Sequence, residues 1–119
     1  MPGRLPRLTR RSEFLRVAGR GRKAARPGLV LQALPPSGEA RPLRLGFTAT
    51  KKIGGAVVRN RAKRRLREAA RLTLSADVAP GWDLVLIARD ATATRPFAQL
   101  LGDLRGALRQ AGVVAERRP

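Results

Sequence analysis

Residues 51–71 constrain this chain more than any other stretch. The run Lys-Lys-Ile-Gly-Gly-Ala-Val-Val-Arg-Asn-Arg-Ala-Lys-Arg-Arg-Leu-Arg-Glu-Ala-Ala-Arg holds nine basic side chains and one acidic one. From Val58 onward the apolar positions Val58, Ala62, Leu66, Ala69 and Ala70 recur every three or four residues, which predicts a helix with one buried stripe. On a wheel of roughly 100° per residue that stripe covers about 120°. Lys63, Arg64, Arg67 and Arg71 fall to one side of it together with Asn60, and Arg61 and Arg65 fall to the other. Packing cannot require so many cations on one short helix, because neighbouring like charges repel. A solvated face normally mixes signs. The pattern points instead to an external polyanion.

The distribution of charge sharpens this. Residues 1–26 carry a net +8 and residues 51–71 another +8, which leaves +2 of the chain's +18 for everything else. Two basic segments are mounted on a nearly neutral scaffold, and nucleic acid fits them better than an anionic membrane. With 119 residues the chain should form one domain with a modest core. Cysteine and histidine are both absent, so no disulfide framework or thiolate metal site is expected, in keeping with a reducing interior. No apolar run approaches the roughly 18 residues of a membrane span, and no signal-peptide core follows Met1; the expected location is the cytoplasm. Arginine outnumbers lysine 22 to 4, which suits bidentate phosphate binding, although a GC-rich coding bias gives the same ratio.

Around the basic helix the chain divides readily. Residues 1–8 read as a basic arm, residues 9–112 as the folded core and 113–119 as a tail. A first helix starts near Thr9 or Ser12, with Phe14, Val17 and Ala18 on one side, and stops at Gly19 or Gly21. Residues 20–26 read as a basic linker. Residues 29–34 form a strand, residues 35–38 a turn, and residues 43–50 a second strand with Leu43, Leu45, Phe47 and Ala49 on one face. A short turn-rich loop between two strands predicts an antiparallel hairpin. The connector 51–55 has two glycines that permit unusual backbone conformations. After the basic helix fades near residues 73–75, residues 83–90 form a continuous apolar strand, buried on both faces. Thr92 or Thr94 caps a last helix whose Phe97, Leu100, Leu101, Leu104, Leu108 and Ala111 repeat cleanly, and Gly112 ends it. The order α-β-β-α-β-α, with room for one further strand, predicts an α+β fold: a single-domain α/β sandwich, a small mixed sheet with helices packed on it. If residues 43–50, the basic helix and residues 84–88 form a parallel crossover, the general rule makes it right-handed.

Catalytic chemistry is missing. A metal-dependent phosphodiesterase needs clustered carboxylates, and the eight acids are scattered singly. Glu13 and Glu68 sit in basic helices, where they relieve local charge, and Asp83 and Asp90 are about 20 Å apart along one strand. Without histidine there is no ready general base near neutrality. No catalytic residue, metal site or protein-bound cofactor is expected. Binding chemistry is plentiful. The glycine connector aims backbone N–H groups and a helix N-terminus at an anion, with Lys51 and Lys52 beside it. A basic helix set between strands favours RNA over duplex DNA, whose readers present a helix within a helical bundle. Phe97 and Phe47 read as core, and Trp82 as a plug at the sheet edge. Phe14 is open between core and a base-stacking contact.

Residues 48–68, Thr-Ala-Thr-Lys-Lys-Ile-Gly-Gly-Ala-Val-Val-Arg-Asn-Arg-Ala-Lys-Arg-Arg-Leu-Arg-Glu, closely resemble the signature of the bacterial ribonuclease P protein family, and the likeness extends over roughly residues 7–111. The resemblance implies an accessory subunit that joins a catalytic RNA in removing the 5′ leader of precursor tRNA. The RNA performs the Mg²⁺-assisted hydrolysis. It also implies a left-handed crossover, against the general rule. On this resemblance Arg59, Asn60, Arg61, Lys63, Arg64 and Arg67 meet the catalytic RNA, and the helix extends that set with Arg65 and Arg71. Phe14, Val30, Thr48, Thr50 and Lys52 would line a cleft for the single-stranded leader, with Gln32 and Lys51 at its border. The family often has an aromatic where this chain has Ala18 and another where it has Gln32. Leader recognition weighted towards charge is the expectation. Two other classes fit parts of the pattern: a structural ribosomal RNA-binding protein, and a self-sufficient nuclease.

Overall fold

A strand that is apolar on both faces has to lie inside a sheet, and that requirement decides the topology. The computed structural model describes residues 5–38, 40–75 and 78–113. Its elements are α1 (Arg11–Arg20), β1 (Arg22–Arg26), β2 (Leu29–Leu34), β3 (Arg44–Thr48), α2 (Ala56–Thr73), β4 (Asp83–Ala88) and α3 (Phe97–Gln110), with a 3₁₀ turn at Lys51–Ile53 leading into α2. The sheet order is β1-β2-β4-β3. The apolar strand β4 therefore runs through the interior, antiparallel to β2 and parallel to β3.

This order corrects the expected hairpin between residues 29–34 and 43–50. Those strands never pair, because each takes one edge of β4. The crossover β3–α2–β4 is parallel, as expected. The true hairpin partner of β2 is β1, in a segment whose charges mark it as a linker. Only Pro27 and Gly28 separate the paired residues Arg26 and Leu29, a two-residue hairpin loop. An edge strand tolerates Arg22, Lys23 and Arg26, and charge there discourages pairing with other chains.

The opposite edge is covered as well. The Leu45 N–H donates to the Pro6 carbonyl at 2.9 Å, and the Leu8 N–H to the Leu45 carbonyl at 2.8 Å. Residues 6–8 thus dock along β3 where a loose arm was expected, and Leu8 is buried. Residues 1–4 of that arm and 114–119 of the expected tail lie outside the described residues.

Alternation along the strands separates two faces. Leu29, Leu31, Ala33, Leu45, Leu84 and Leu86 point to one side and meet Leu66 of α2 and Leu100 and Leu104 of α3, all essentially without exposed surface. Phe47, Trp82 and Phe97 pack half-buried against this core, beneath the guanidinium groups of Arg7, Arg22 and Arg65 at 5.3, 5.6 and 5.8 Å. Among the described residues the other face carries α1 and the segment just before it: Val17 and Leu8 are buried against Val85, with Phe14, Leu34 and Ile87 half-buried around them. Gly46 makes this docking possible, since a Cβ there would lie 2.5 Å from the Phe14 ring. Phe14 thereby belongs partly to the core while keeping exposed surface. Ala18, expected on the packed side of α1, is exposed.

Two helix starts differ from expectation in their chemistry. At α1 neither Thr9 nor Ser12 caps; Glu13 Oε1 accepts the backbone N–H groups of Thr9 and Arg10 at 2.9 and 3.0 Å. At α3 the N-cap is Pro96, not Thr92 or Thr94. Thr92 is buried; its hydroxyl donates to the Gly28 carbonyl at 2.6 Å and accepts the Arg89 N–H at 2.7 Å, pinning the β4–α3 loop to the β1–β2 turn. Gly112 closes α3 at φ 81°, in the left-handed region that favours glycine. Among the described residues no helix is long and apolar enough to cross a membrane.

One buried acid organises the α1 side. Asp83 lies opposite Arg44 in the β3–β4 register. Arg44 donates to both of its carboxylate oxygens, Nε to Oδ1 at 2.9 Å and Nη2 to Oδ2 at 2.8 Å. Arg41 Nη1 adds a third bond at 2.8 Å, and Arg44 Nη1 reaches Glu13 Oε2 on α1 at 3.0 Å. Burial pushes the Asp83 carboxyl up, but Arg44 and Arg41 outweigh it and hold the group below its ordinary value. The N–H groups of Arg10 and Thr9 do the same for Glu13, with Arg44 adding to it. Carboxyls depressed in the folded state give stability that is present above their ordinary pKa and lost as pH falls through the folded value. Asp83→Asn is expected to lower stability by about 3 kcal/mol, since it leaves two guanidinium groups half-paired. Urea melts should show this loss at neutral pH, and the gap between parent and variant should close in acid.

Candidate nucleic-acid interface

The basic helix α2 is built from good helix formers, Arg, Lys, Leu, Ala and Glu. Ala62, Leu66, Ala69 and Ala70 are buried against β3, β4 and α3. Val58, expected at the head of that stripe, is 37% exposed, and Val57 is 82% exposed. The first turn of α2 is exposed, and Val58 packs back on Gly54, which holds φ at 140°. Gly55 sits at the N-cap, and neither a side-chain cap nor an acid occupies the first turn.

The two flanks of α2 do different things. On the α3 side, Arg61 Nε donates to the Ala93 carbonyl at 2.9 Å. Arg65 donates to the Thr92 carbonyl at 2.6 Å and to the Arg95 carbonyl at 2.5 Å. Partial burial, and secondarily the Arg61 charge, lowers the Arg65 pKa. These two guanidinium groups tie α2 to the loop before α3 and are engaged within the fold. Arg71 forms an exposed ion pair with Glu68, at 3.0 and 2.6 Å, which depresses the Glu68 carboxyl. On the other flank Arg59, Asn60, Lys63, Arg64 and Arg67 make no side-chain hydrogen bond or ion pair among the described residues. The Arg59 Nε is buried there without an acceptor.

The second feature is a groove on the α1 face. Register places Lys23, Gln32, Val85 and Gly46 in one row, and Ala25, Val30, Ile87 and Thr48 in the next. Phe14 and Val17 of α1 lie over Gly46 and Val85 of the first row. The second row stays half open: Val30, Ile87 and Thr48 are half-buried and Ala25 is exposed. Phe14, Val30, Gln32 and Thr48 therefore border one groove, and the chain continues from Thr48 into exposed Thr50, Lys51 and Lys52 at the mouth of α2. Lys23 and Ile87 join this set without having been read from the sequence, because each enters through a strand pairing that the hairpin expectation excluded. Among the described residues no group of three or more acidic side chains is placed to hold a metal ion.

A mixed sheet with a bare arginine flank on the helix that packs one face and a lysine-edged groove on the other defines an α+β nucleic-acid-binding protein. The family model for ribonuclease P matches residues 3–112, and the chain belongs to that family. It is 58% identical to the ribonuclease P protein component of Gluconacetobacter diazotrophicus, covering 95% of this chain and 97% of the relative. It is 50% identical to that of Paramagnetospirillum magneticum, covering 96% and 88%. Among solved structures, the Staphylococcus aureus RNase P protein superposes with a TM-score of 0.72 at 27% identity, covering 91% of this chain and 96% of that one. The Thermotoga maritima protein gives 0.70 at 26%, covering 87% and 96%. The protein is thus an accessory subunit of an endoribonuclease ribonucleoprotein that matures the 5′ ends of tRNA, with RNA as its partner. The ribosomal and self-sufficient nuclease alternatives are set aside.

The division of α2 predicts a division of phenotypes. Arg65→Ala strands the Thr92 and Arg95 carbonyls and is expected to cost about 1–3 kcal/mol of stability. Arg64→Ala, on the bare flank, should change stability by no more than about 0.5 kcal/mol. Thermal unfolding of the two variants, free of RNA, checks this.

Proposed function

We propose that the bare flank of α2 binds the catalytic RNA of ribonuclease P and that the α1 groove holds the single-stranded 5′ leader of precursor tRNA. The observation carrying the first half is that Arg59, Lys63, Arg64 and Arg67 stand without hydrogen-bond or ion-pair partners among the described residues while Arg61 and Arg65 on the same helix are engaged. Leaving one flank of a helix unneutralised costs stability through like-charge repulsion, and phosphate neutralisation offsets that cost. The uncapped start of α2, with Lys51 and Lys52 beside it, extends the same positive field towards the groove. Arg71, already paired, contributes more weakly. The protein positions RNA; Mg²⁺ is held by the RNA subunit, which carries out the hydrolysis, and the complex works in the cytoplasm.

In the groove, single strands bind through cations that follow the backbone and flat side chains that stack on bases. Phe14 is the one aromatic bordering it among the described residues, with Lys23, Lys51 and Lys52 supplying charge around Val30, Gln32, Thr48 and Thr50.

Three measurements test this. Pure protein with Mg²⁺ should leave precursor tRNA uncut, and adding the RNA subunit should restore 5′ cleavage. Arg64→Ala combined with Arg67→Ala should weaken binding to the RNA subunit and flatten the log K against log salt slope by up to about one unit per lost phosphate contact; an unchanged slope in a folded variant would remove α2 from the interface. For the groove, holoenzyme affinity should rise with leader length. Phe14→Ala should lose about one stacking contact, roughly 1–3 kcal/mol, and Ala18→Phe, which adds a ring one turn along the exposed side, should gain part of one. Affinity independent of leader length would overturn the groove assignment.

A further inference from the structure

We infer that the outer face of α1 is a second contact for the RNA subunit, gripping duplex backbone on the side of the sheet away from α2. This rests on the RNA-subunit partner proposed above. Phe14 and Val17 turn inward to the sheet, and Glu13 turns inward to Arg44. On a wheel of about 100° per residue this leaves Ser12, Leu15, Arg16 and Gly19 facing outward, with Arg11 and Arg20 at the margins. All six are exposed, Leu15 at 56%. Arg11, Arg16 and Arg20 make no ion pair or side-chain hydrogen bond among the described residues, and Glu13, the acid of this helix, is already engaged.

Two features of this face oppose the free fold. Arg16 and Arg20 lie one turn apart, where like charges destabilise a helix. Gly19 stands inside α1, although glycine is a poor helix former. A Cβ at Gly19 would meet nothing within 4 Å, so no neighbour among the described residues requires glycine. A close external surface accounts for both: arginine forks for phosphate oxygens, and a low ridge of Ser12, Leu15 and Gly19 for ribose. The face carries no aromatic platform for unpaired bases and no amide or carboxylate to read base edges. It suits the wide, shallow minor groove of an RNA duplex, which displays sugars and phosphates. The stacking residue Phe14 points to the groove instead, so the single-stranded leader belongs there. Because α1 and α2 pack on opposite faces of one sheet, the protein lies between two segments of the RNA subunit.

The test uses the full chain and the RNA subunit alone, without precursor tRNA, over a range of salt. Arg16→Ala with Arg20→Ala should weaken binding and reduce the salt slope by up to about two units. Gly19→Leu should melt no lower than the parent, because its side chain enters open space, yet bind RNA several-fold more weakly. Unchanged affinity and slope in both variants, with the Arg64/Arg67 pair still weakening binding, would overturn the α1 contact and leave α2 in place. In a separate titration of the assembled holoenzyme, a loss of affinity for precursor tRNA with RNA-subunit binding unchanged would also overturn it. If the α2 pair has no effect either, the RNA-subunit reading itself fails.

Discussion

The Arg44–Asp83 pair holds together parts of the molecule that the chain brings from far apart. Its two parallel bonds, at 2.9 and 2.8 Å, lock β3 to β4 in register, and the third donor of Arg44 reaches Glu13 on α1. Glu13 in turn caps α1 through the N–H groups of Thr9 and Arg10. The position of Phe14, one residue further on, follows from that bond and from the absence of a Cβ at Gly46. A buried ion pair of this kind adds little net stability compared with an apolar pair of the same shape. Its contribution here is geometric: it fixes where α1 crosses the sheet, and hence the width of the groove beside it.

The same residue type serves opposite purposes along α2, and position on the helix decides which. Arg61 and Arg65 face carbonyls of the turn that precedes α3 and satisfy acceptors that the turn would otherwise leave to water. Arg65 reaches two carbonyls at once and lies over the Phe97 ring, a combination that a lysine ammonium cannot reproduce. Arg64 and Arg67, on either side of Arg65 in sequence, lie on the other flank and make no side-chain hydrogen bond or ion pair among the described residues. A cluster of cations read along a sequence is therefore two populations, one engaged within the fold and one left without a partner among the described residues.

How much was legible follows from what each inference needed. Helical period alone located α2 and α3, and the unbroken apolar run of residues 84–88 identified β4 as an interior strand. The motif around Arg59–Asn60–Arg61 marked the family. Pairing partners were not legible, because strand order depends on which edges β4 offers and local sequence carries no record of that. From this one gap came the missed strand β1, the wrong hairpin, and the absence of Lys23 and Ile87 from the groove. The Asp83 network was hidden for the same reason, since Arg44 and Asp83 are neighbours only through the β3–β4 register. The structural role of Arg65 was invisible because its acceptors are backbone carbonyls, which have no sequence signature.

Where the acids went explains how a chain of net +18 keeps its surface positive. Asp83 and Glu13 are drawn into the Arg44 network, Asp103 pairs with Arg95 beside the β1–β2 turn, and Glu68 is held by Arg71. Each of these four carboxylates neutralises a cation within the fold, and none is left to soften the bare flank of α2 or the outer face of α1. The free protein thus carries uncompensated repulsion on two faces, which dissolved salt screens over a Debye length of about 8 Å at physiological ionic strength. Added salt relieves that repulsion in the free protein, yet the same salt weakens the RNA complex by reducing the gain from counterion release. The two effects have opposite signs because they arise from one arrangement of charge. RNA phosphates complete an electrostatic balance that the chain, with these four acids already paired to its own cations, does not reach alone.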